Sequence, residues 1–121
     1  AMEQNTMSKA LFVAELDLNP GKSGADAEAF FAEEFLPNAA KLPGWIPTLH
    51  VGNHGRRSGQ YLMINYFESE ERARQLFPGD GAMSGEFQAW MAANPVWAGL
   101  MSYFDYDKLL KDYTEYTTLN R

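Results

Sequence analysis

Residues 45–73 read WIPTLHVGNHGRRSGQYLMINYFESEERA, and the fold is decided here. Trp45 to His54 alternates as a strand does, with Trp45, Leu49 and Val51 on one face and Ile46, Thr48, His50 and Gly52 on the other. Asn53 to Gly59 supplies the Gly and Asn chemistry of a hairpin loop. Gln60 to Phe67 returns as a second strand, setting Leu62, Ile64 and Tyr66 against Tyr61, Met63, Asn65 and Phe67. Ser69 then caps a helix whose first turn carries Glu70 and Glu71, the charge that suits a helix N-terminus.

Upstream, Lys9 to Leu18 is a strand whose Phe12, Ala14, Leu16 and Leu18 form an apolar face, opposite Leu11, Val13, Glu15 and Asp17. Asn19-Pro20-Gly21 ends it. Ser23 opens a helix over about Ala25 to Ala40, in which Phe31 and Phe35 stand one turn apart. Pro37 should kink or end the regular helix near Leu36. Downstream, Pro78 to Gly81 interrupts the second helix, and helical spacing resumes at Ser84 and stops at Asn94-Pro95. Val96 to Tyr106 reads as a fourth strand, offering Ser102 or Tyr103 to the outer face according to register.

The expected order is strand, helix, strand, strand, helix, strand: an α+β, ferredoxin-like βαββαβ domain with a four-stranded antiparallel sheet and two helices on one face. It occupies residues 9–107. Residues 1–8 lie outside it as a disordered leader or cloning remnant. Residues 108–121 form a short amphipathic arm with Leu109, Leu110, Tyr113 and Tyr116 at helical spacing.

At 121 residues the chain is one domain in length, and 45% hydrophobic residues can fill a core. The absence of cysteine excludes disulfides and thiolate chemistry. Sixteen acidic against ten basic residues give −6, which argues against nucleic acid and anionic membranes as partners. No apolar run reaches the ~20 residues of a membrane span. These features together point to a cytoplasmic protein.

Helices on one face leave the other face of the sheet uncovered. It is expected to display Leu11, Val13, Ile46, Met63 and either Tyr61 or Phe67. An apolar patch of that extent needs a cover. A second copy, sheet to sheet, is the symmetric solution, and the chain's own tail folding back is the alternative.

Three stretches resemble the dimeric α+β-barrel superfamily, which includes antibiotic-biosynthesis-monooxygenase-like, EthD-like and NIPSNAP-like small proteins. Phe35-Leu36-Pro37 running into Lys41-Leu42-Pro43-Gly44-Trp45 is similar to their helix-to-strand joint. Tyr66-Phe67-Glu68-Ser69-Glu70-Glu71-Arg72-Ala73 is similar to their entry into the second helix. The order of elements over Lys9 to Asp107 is the third. The resemblance implies a homodimer that closes a barrel, with a cleft in each protomer. Haem-degrading relatives place an asparagine on the first strand, a tryptophan on the third and a histidine on the second helix. This chain has Glu15 mid-strand and lacks the other two, so no haem or other cofactor is expected.

Polar side chains on the face away from the helices are the candidates for chemistry. Strict alternation nominates Glu15 and Asp17, Thr48 and His50, and Asn65. An imidazole is the side chain best suited to proton transfer at neutral pH, which makes His50 the leading candidate. Glu15 can orient it or act as the base itself, and Asn65 can donate an N–H to an oxyanion. Thr48, Met63 and Tyr103 would line the ligand. His54 lies about 13 Å from His50 along a strand rising ~3.3 Å per residue, so one metal cannot join them and no metal site is expected. The resulting expectation is a cofactor-independent monooxygenase or isomerase acting on a hydrophobic, aromatic or polyketide-like molecule. Its alternatives are a non-catalytic ligand-binding or stress-related dimer, or a module recruiting another chain.

Overall fold

The computed structural model describes residues 8–79, 82–105 and 112–119. The strands are β1 (Ala10–Leu16), β2 (Trp45–Val51), β3 (Tyr61–Phe67) and β4 (Tyr113–Thr117). They form one antiparallel sheet in the order β2-β3-β1-β4, the ferredoxin-like arrangement. Helix α1 (Gly24–Phe30) lies between β1 and β2. Helices α2 (Glu70–Leu76), α3 (Gly85–Ala93) and α4 (Val96–Tyr103) lie between β3 and β4.

The N-caps read from the sequence at Ser23 and Ser69 are present, and Ser84, where helical spacing resumes, is a third. Ser23, Ser69 and Ser84 accept from the backbone N–H groups of Asp26, Arg72 and Phe87. Pro37 does not end the first helix. In a regular helix its ring would crowd the carbonyl of Glu33, four residues back; here the chain widens into a π-turn over Phe31–Phe35. Leu36 N–H reaches back five residues to the Phe31 carbonyl, and helix resumes over Leu36–Ala39. The wider turn keeps Phe31 and Phe35 pointing into the core, their rings stacked at 5.1 Å.

Residues 96–103 are helical, not a strand. Asn94 Nδ2 binds the Trp90 carbonyl at 2.7 Å and closes α3, and Pro95 pre-sets the φ that starts α4. Leu100 is buried from α4, and Phe104, one turn on, is buried as the helix's C-cap. Asn19 Nδ2 meets the carbonyls of Met101, Ser102 and Phe104 at 3.1–3.3 Å, capping the end of α4. Close packing of α4 on α1 needs Gly99, where a Cβ would lie 2.4 Å from the Phe30 ring.

The fourth strand instead comes from the segment read as an arm. Tyr113–Thr117 pairs with β1 in the register Phe12↔Glu115 and Val13↔Thr114. Phe104 bridges Leu18 farther along the same edge of β1. Leu109 and Leu110 lie outside the described residues. Ser8 belongs to the fold as well: it is buried, and its N–H donates to the Phe67 carbonyl.

Register corrects the faces of β3. Directly opposed residues share a face, and Val13 opposes Ile64 while Glu15 opposes Leu62. Leu62, Ile64 and Tyr66 therefore stand on the outer face. Tyr61, Met63, Asn65 and Phe67 turn toward the helices, where Tyr61, Met63 and Phe67 are at most 4% exposed. The outer face remains apolar with different members: Leu11, Val13, Ile46, Leu62, Ile64 and Tyr116. No described helix is long and apolar enough to cross a membrane.

Candidate functional site: a compartment between sheet and helices

The same register divides the polar residues between two faces. Glu15, Thr48 and His50 stand on the outer face; Asn65 and Met63 stand on the inner one. The expected single site holding His50, Glu15 and Asn65 therefore does not form, because the sheet separates them. Tyr103 lies on α4, its ring against Phe30 at 5.4 Å and beneath Lys22 Nζ at 5.3 Å. It does not line the hollow that Asn65 faces.

Glu15 and His50 do not pair either. Both neighbour Leu62, one from each side, so two strand spacings of ~4.8 Å separate them. Glu15 faces Arg57 Nε at 3.5 Å and Arg56 Nη2 at 3.7 Å. Arg57 also meets Asp17 at 3.1 Å and the Tyr61 carbonyl at 3.1 Å, tying the hairpin to the end of β1. His50 is paired to Thr48, whose Oγ1 lies 2.8 Å from Nε2 and donates to the Ile64 carbonyl at 2.9 Å. With its only hydrogen spent there, Thr48 accepts from His50, so Nε2 carries a proton and Nδ1 is the open position.

The inner face carries a different site. Phe12 and Ala14 from β1, Trp45 from β2, and Met63 and Asn65 from β3 form its floor. Phe77, Met83, Phe87 and Trp97 cover it, and Tyr113 closes the β4 side. The hollow measures about 40 Å³, room for two or three waters. Its rings interlock: Phe12 stacks on Tyr113 at 5.5 Å, and Phe87 meets Trp45 edge to face at 5.2 Å. Burial, with Glu115 nearby, pushes the Tyr113 phenol up, so it faces the hollow as a neutral hydroxyl. Arg72 secures the cover, binding both Glu86 carboxylate oxygens at 2.7–2.8 Å and the Pro43 carbonyl at 2.7 Å.

Asn65 brings the amide to these walls. Its Oδ1 accepts from the Trp45 indole N–H at 2.8 Å, and its Nδ2 lies 3.4 Å from the Phe12 carbonyl. Nothing in the sequence marks Trp45 as more than an apolar core residue. Its link to Asn65 appears only once β2 and β3 are in register.

Two open grooves lie elsewhere. One, of about 360 Å³, runs between α1 and the free edge of β2 past Phe31, Leu36, Leu49 and His50. At its end the Tyr61 hydroxyl donates to Glu28 at 2.5 Å, and burial followed by that bond pushes its pKa up to about 12. The other, about 290 Å³, lies over Glu15, His50 and Arg57. Most polar groups in both already bond one another. Among the described residues, no three His, Cys, Asp or Glu side chains stand together as a metal site.

Sheet order, helix placement and the inner compartment define a ferredoxin-like α+β domain. No protein-family model matches the chain, and no curated protein matches it. Solved structures do. SnoaB, a cofactor-independent oxygenase from Streptomyces nogalater crystallised as a mutant, is 18% identical with a TM-score of 0.50, over 93% of this chain and 92% of its own. An EthD-family protein from Bacillus halodurans is 17% identical at TM-score 0.49, over 91% and 99%. A NIPSNAP-like domain protein from Burkholderia xenovorans is 18% identical at TM-score 0.49, over 96% and 86%. What this chain shares with SnoaB is the fold.

Proposed function

We propose that the chain binds a hydrophobic molecule carrying a carbonyl or phenolic oxygen in the inner compartment and acts there as a cofactor-independent oxygenase. The observation that carries this is the Asn65 carboxamide, fixed among aromatic walls with an N–H to spare. A largely apolar pocket with the Asn65 amide and the Tyr113 hydroxyl placed in its walls fits such a ligand. The similarity in fold to a cofactor-independent oxygenase supports the reaction class.

Among the described residues, those lining the compartment include no imidazole and no carboxylate. A substrate acidic enough to ionise without a protein base, such as a phenol or a ketone with an activated CH2, fits this lining. Asn65 stabilises the resulting oxyanion. The enolate donates electrons to dioxygen; CH2 becomes C=O, one oxygen atom enters the product and the other leaves as water. Isomerisation, which needs a base beside the substrate, fits this compartment less well.

Size favours a second reading. At about 40 Å³ the hollow takes a ring only if Met83 or Phe77 moves aside, as suits a non-catalytic binder of smaller molecules. Asn65→Leu separates function from packing, since it keeps volume and removes the amide. It should weaken binding of a small aromatic ketone, read by quenching of the tryptophans, by about 10- to 100-fold, the value of one hydrogen bond in a dry site. Oxygen uptake with an acidic ketone should fall with it. Unchanged binding would place the ligand elsewhere.

The outer face supports a homodimer. Ile46 and Tyr116 are 41% and 52% exposed, and Leu11, Val13, Leu62 and Ile64 lie half-buried between them. Pressing two such faces together covers the apolar surface without altering either compartment.

A further inference from the structure

We infer that Trp45 is a positioning residue which fixes the compartment as a hydrogen-bond donor, so that it selects ligands by an acceptor oxygen and discriminates against donor-only ligands of the same size. The inference rests on the reading that the inner compartment receives the ligand.

The two ends of an asparagine amide are nearly the same size, so packing alone does not choose between them. An indole nitrogen chooses, because it can only donate. At 2.8 Å from Trp45 Nε1, the near atom of Asn65 must be Oδ1, and the NH2 group must face the other way. One of its hydrogens is spent on the Phe12 carbonyl at 3.4 Å, a weak bond; the other remains for the hollow that Asn65 lines.

Trp45 cannot swing away to release the amide. The residue is 5% exposed, and its ring is gripped edge to face by Phe35 at 5.9 Å, Phe87 at 5.2 Å and Trp90 at 5.0 Å. Without the indole N–H the amide could rotate and present its oxygen instead. The donor character of the Asn65 amide is thus set by a residue outside the polar set, through a bond that phenylalanine would lose while keeping most of the ring packing.

Two five-membered rings make the test: cyclopent-2-enone, which accepts, and pyrrole, which donates. Their affinities for wild type, Trp45→Phe and Asn65→Leu are measured by NMR titration of the full chain. Wild type should prefer the enone by tenfold or more. In Trp45→Phe the ratio should fall to within about threefold, with circular dichroism unchanged; in Asn65→Leu it should vanish. A ratio kept in Trp45→Phe but lost in Asn65→Leu overturns the role of Trp45 and leaves the compartment as the binding site. A ratio kept in both overturns both readings. A second readout needs no change at Trp45: its indole N–H should be protected from exchange in wild type and lose that protection in Asn65→Leu, and an unprotected wild-type indole overturns the inference.

Discussion

Alanine at Phe35 should lower the stability of the fold by about 3–5 kcal/mol, the cost of deleting a large aromatic side chain from a core. Phe35 is fully buried and touches Phe31, Trp45, Trp90 and Trp97 with its ring. Trp45, Trp90 and Trp97 come from three other elements, β2, α3 and α4, so the partners cannot all collapse into the vacated space. A domain of this length has on the order of 6–18 kcal/mol to lose, and the melting temperature should fall by roughly 10–20 °C. Thermal denaturation followed by near-ultraviolet circular dichroism, where the three tryptophans dominate, measures both the shift and the loss of packing. A shift of only a few degrees would mean that the aromatic cluster is not the centre of the core.

A lysine at Ile64 should abolish self-association and leave the protomer folded. Ile64 stands mid-strand on a central strand, between Val13 and Thr48, with its side chain on the outer face. In a sheet-to-sheet dimer it meets the partner copy near the symmetry axis. An uncompensated charge buried there costs about 3–5 kcal/mol, a loss of at least about a hundredfold in dimer affinity. Light scattering at micromolar concentration should find wild type as a dimer and Ile64→Lys as a monomer with the same circular dichroism. Wild type running as a monomer would remove the dimer altogether.

Much of this fold was legible because local chemistry agreed with the global plan. Serines 23 and 69 cap the helices they precede, and the alternation of β1 and β2 sorts their faces as expected. Elsewhere alternation was silent. On β3, Tyr61, Met63 and Phe67 face Leu62, Ile64 and Tyr66, apolar against apolar, and only pairing with β1 decides which set is inside. Placing Met63 and Asn65 on the wrong face followed directly, and the idea of one site with His50 fell with it.

The C-terminal third shows the same ambiguity between periods. Val96, Trp97, Leu100 and Phe104 carry a helical repeat, but their apolar neighbours also mimic a strand. Tyr113-Thr114-Glu115-Tyr116-Thr117 is rich in strand-forming Tyr and Thr, although Tyr113 and Tyr116 also sit at helical spacing. The missing edge beside β1 decided it: a four-stranded sheet needs its last strand there. Trp45 was hidden for another reason. Its polar atom matters only through Asn65, twenty residues away and one strand across.

The compartment is tested most directly by mapping where a small aromatic ketone binds on the isotope-labelled protein. The account predicts that the Asn65 side-chain amide and the Trp45 and Trp97 indole signals shift together, while Thr48, His50 and Glu15 stay still. Shifts confined to Thr48, His50 and Glu15, with Asn65 and the two indoles unmoved, would put the ligand on the opposite face of the sheet and contradict it.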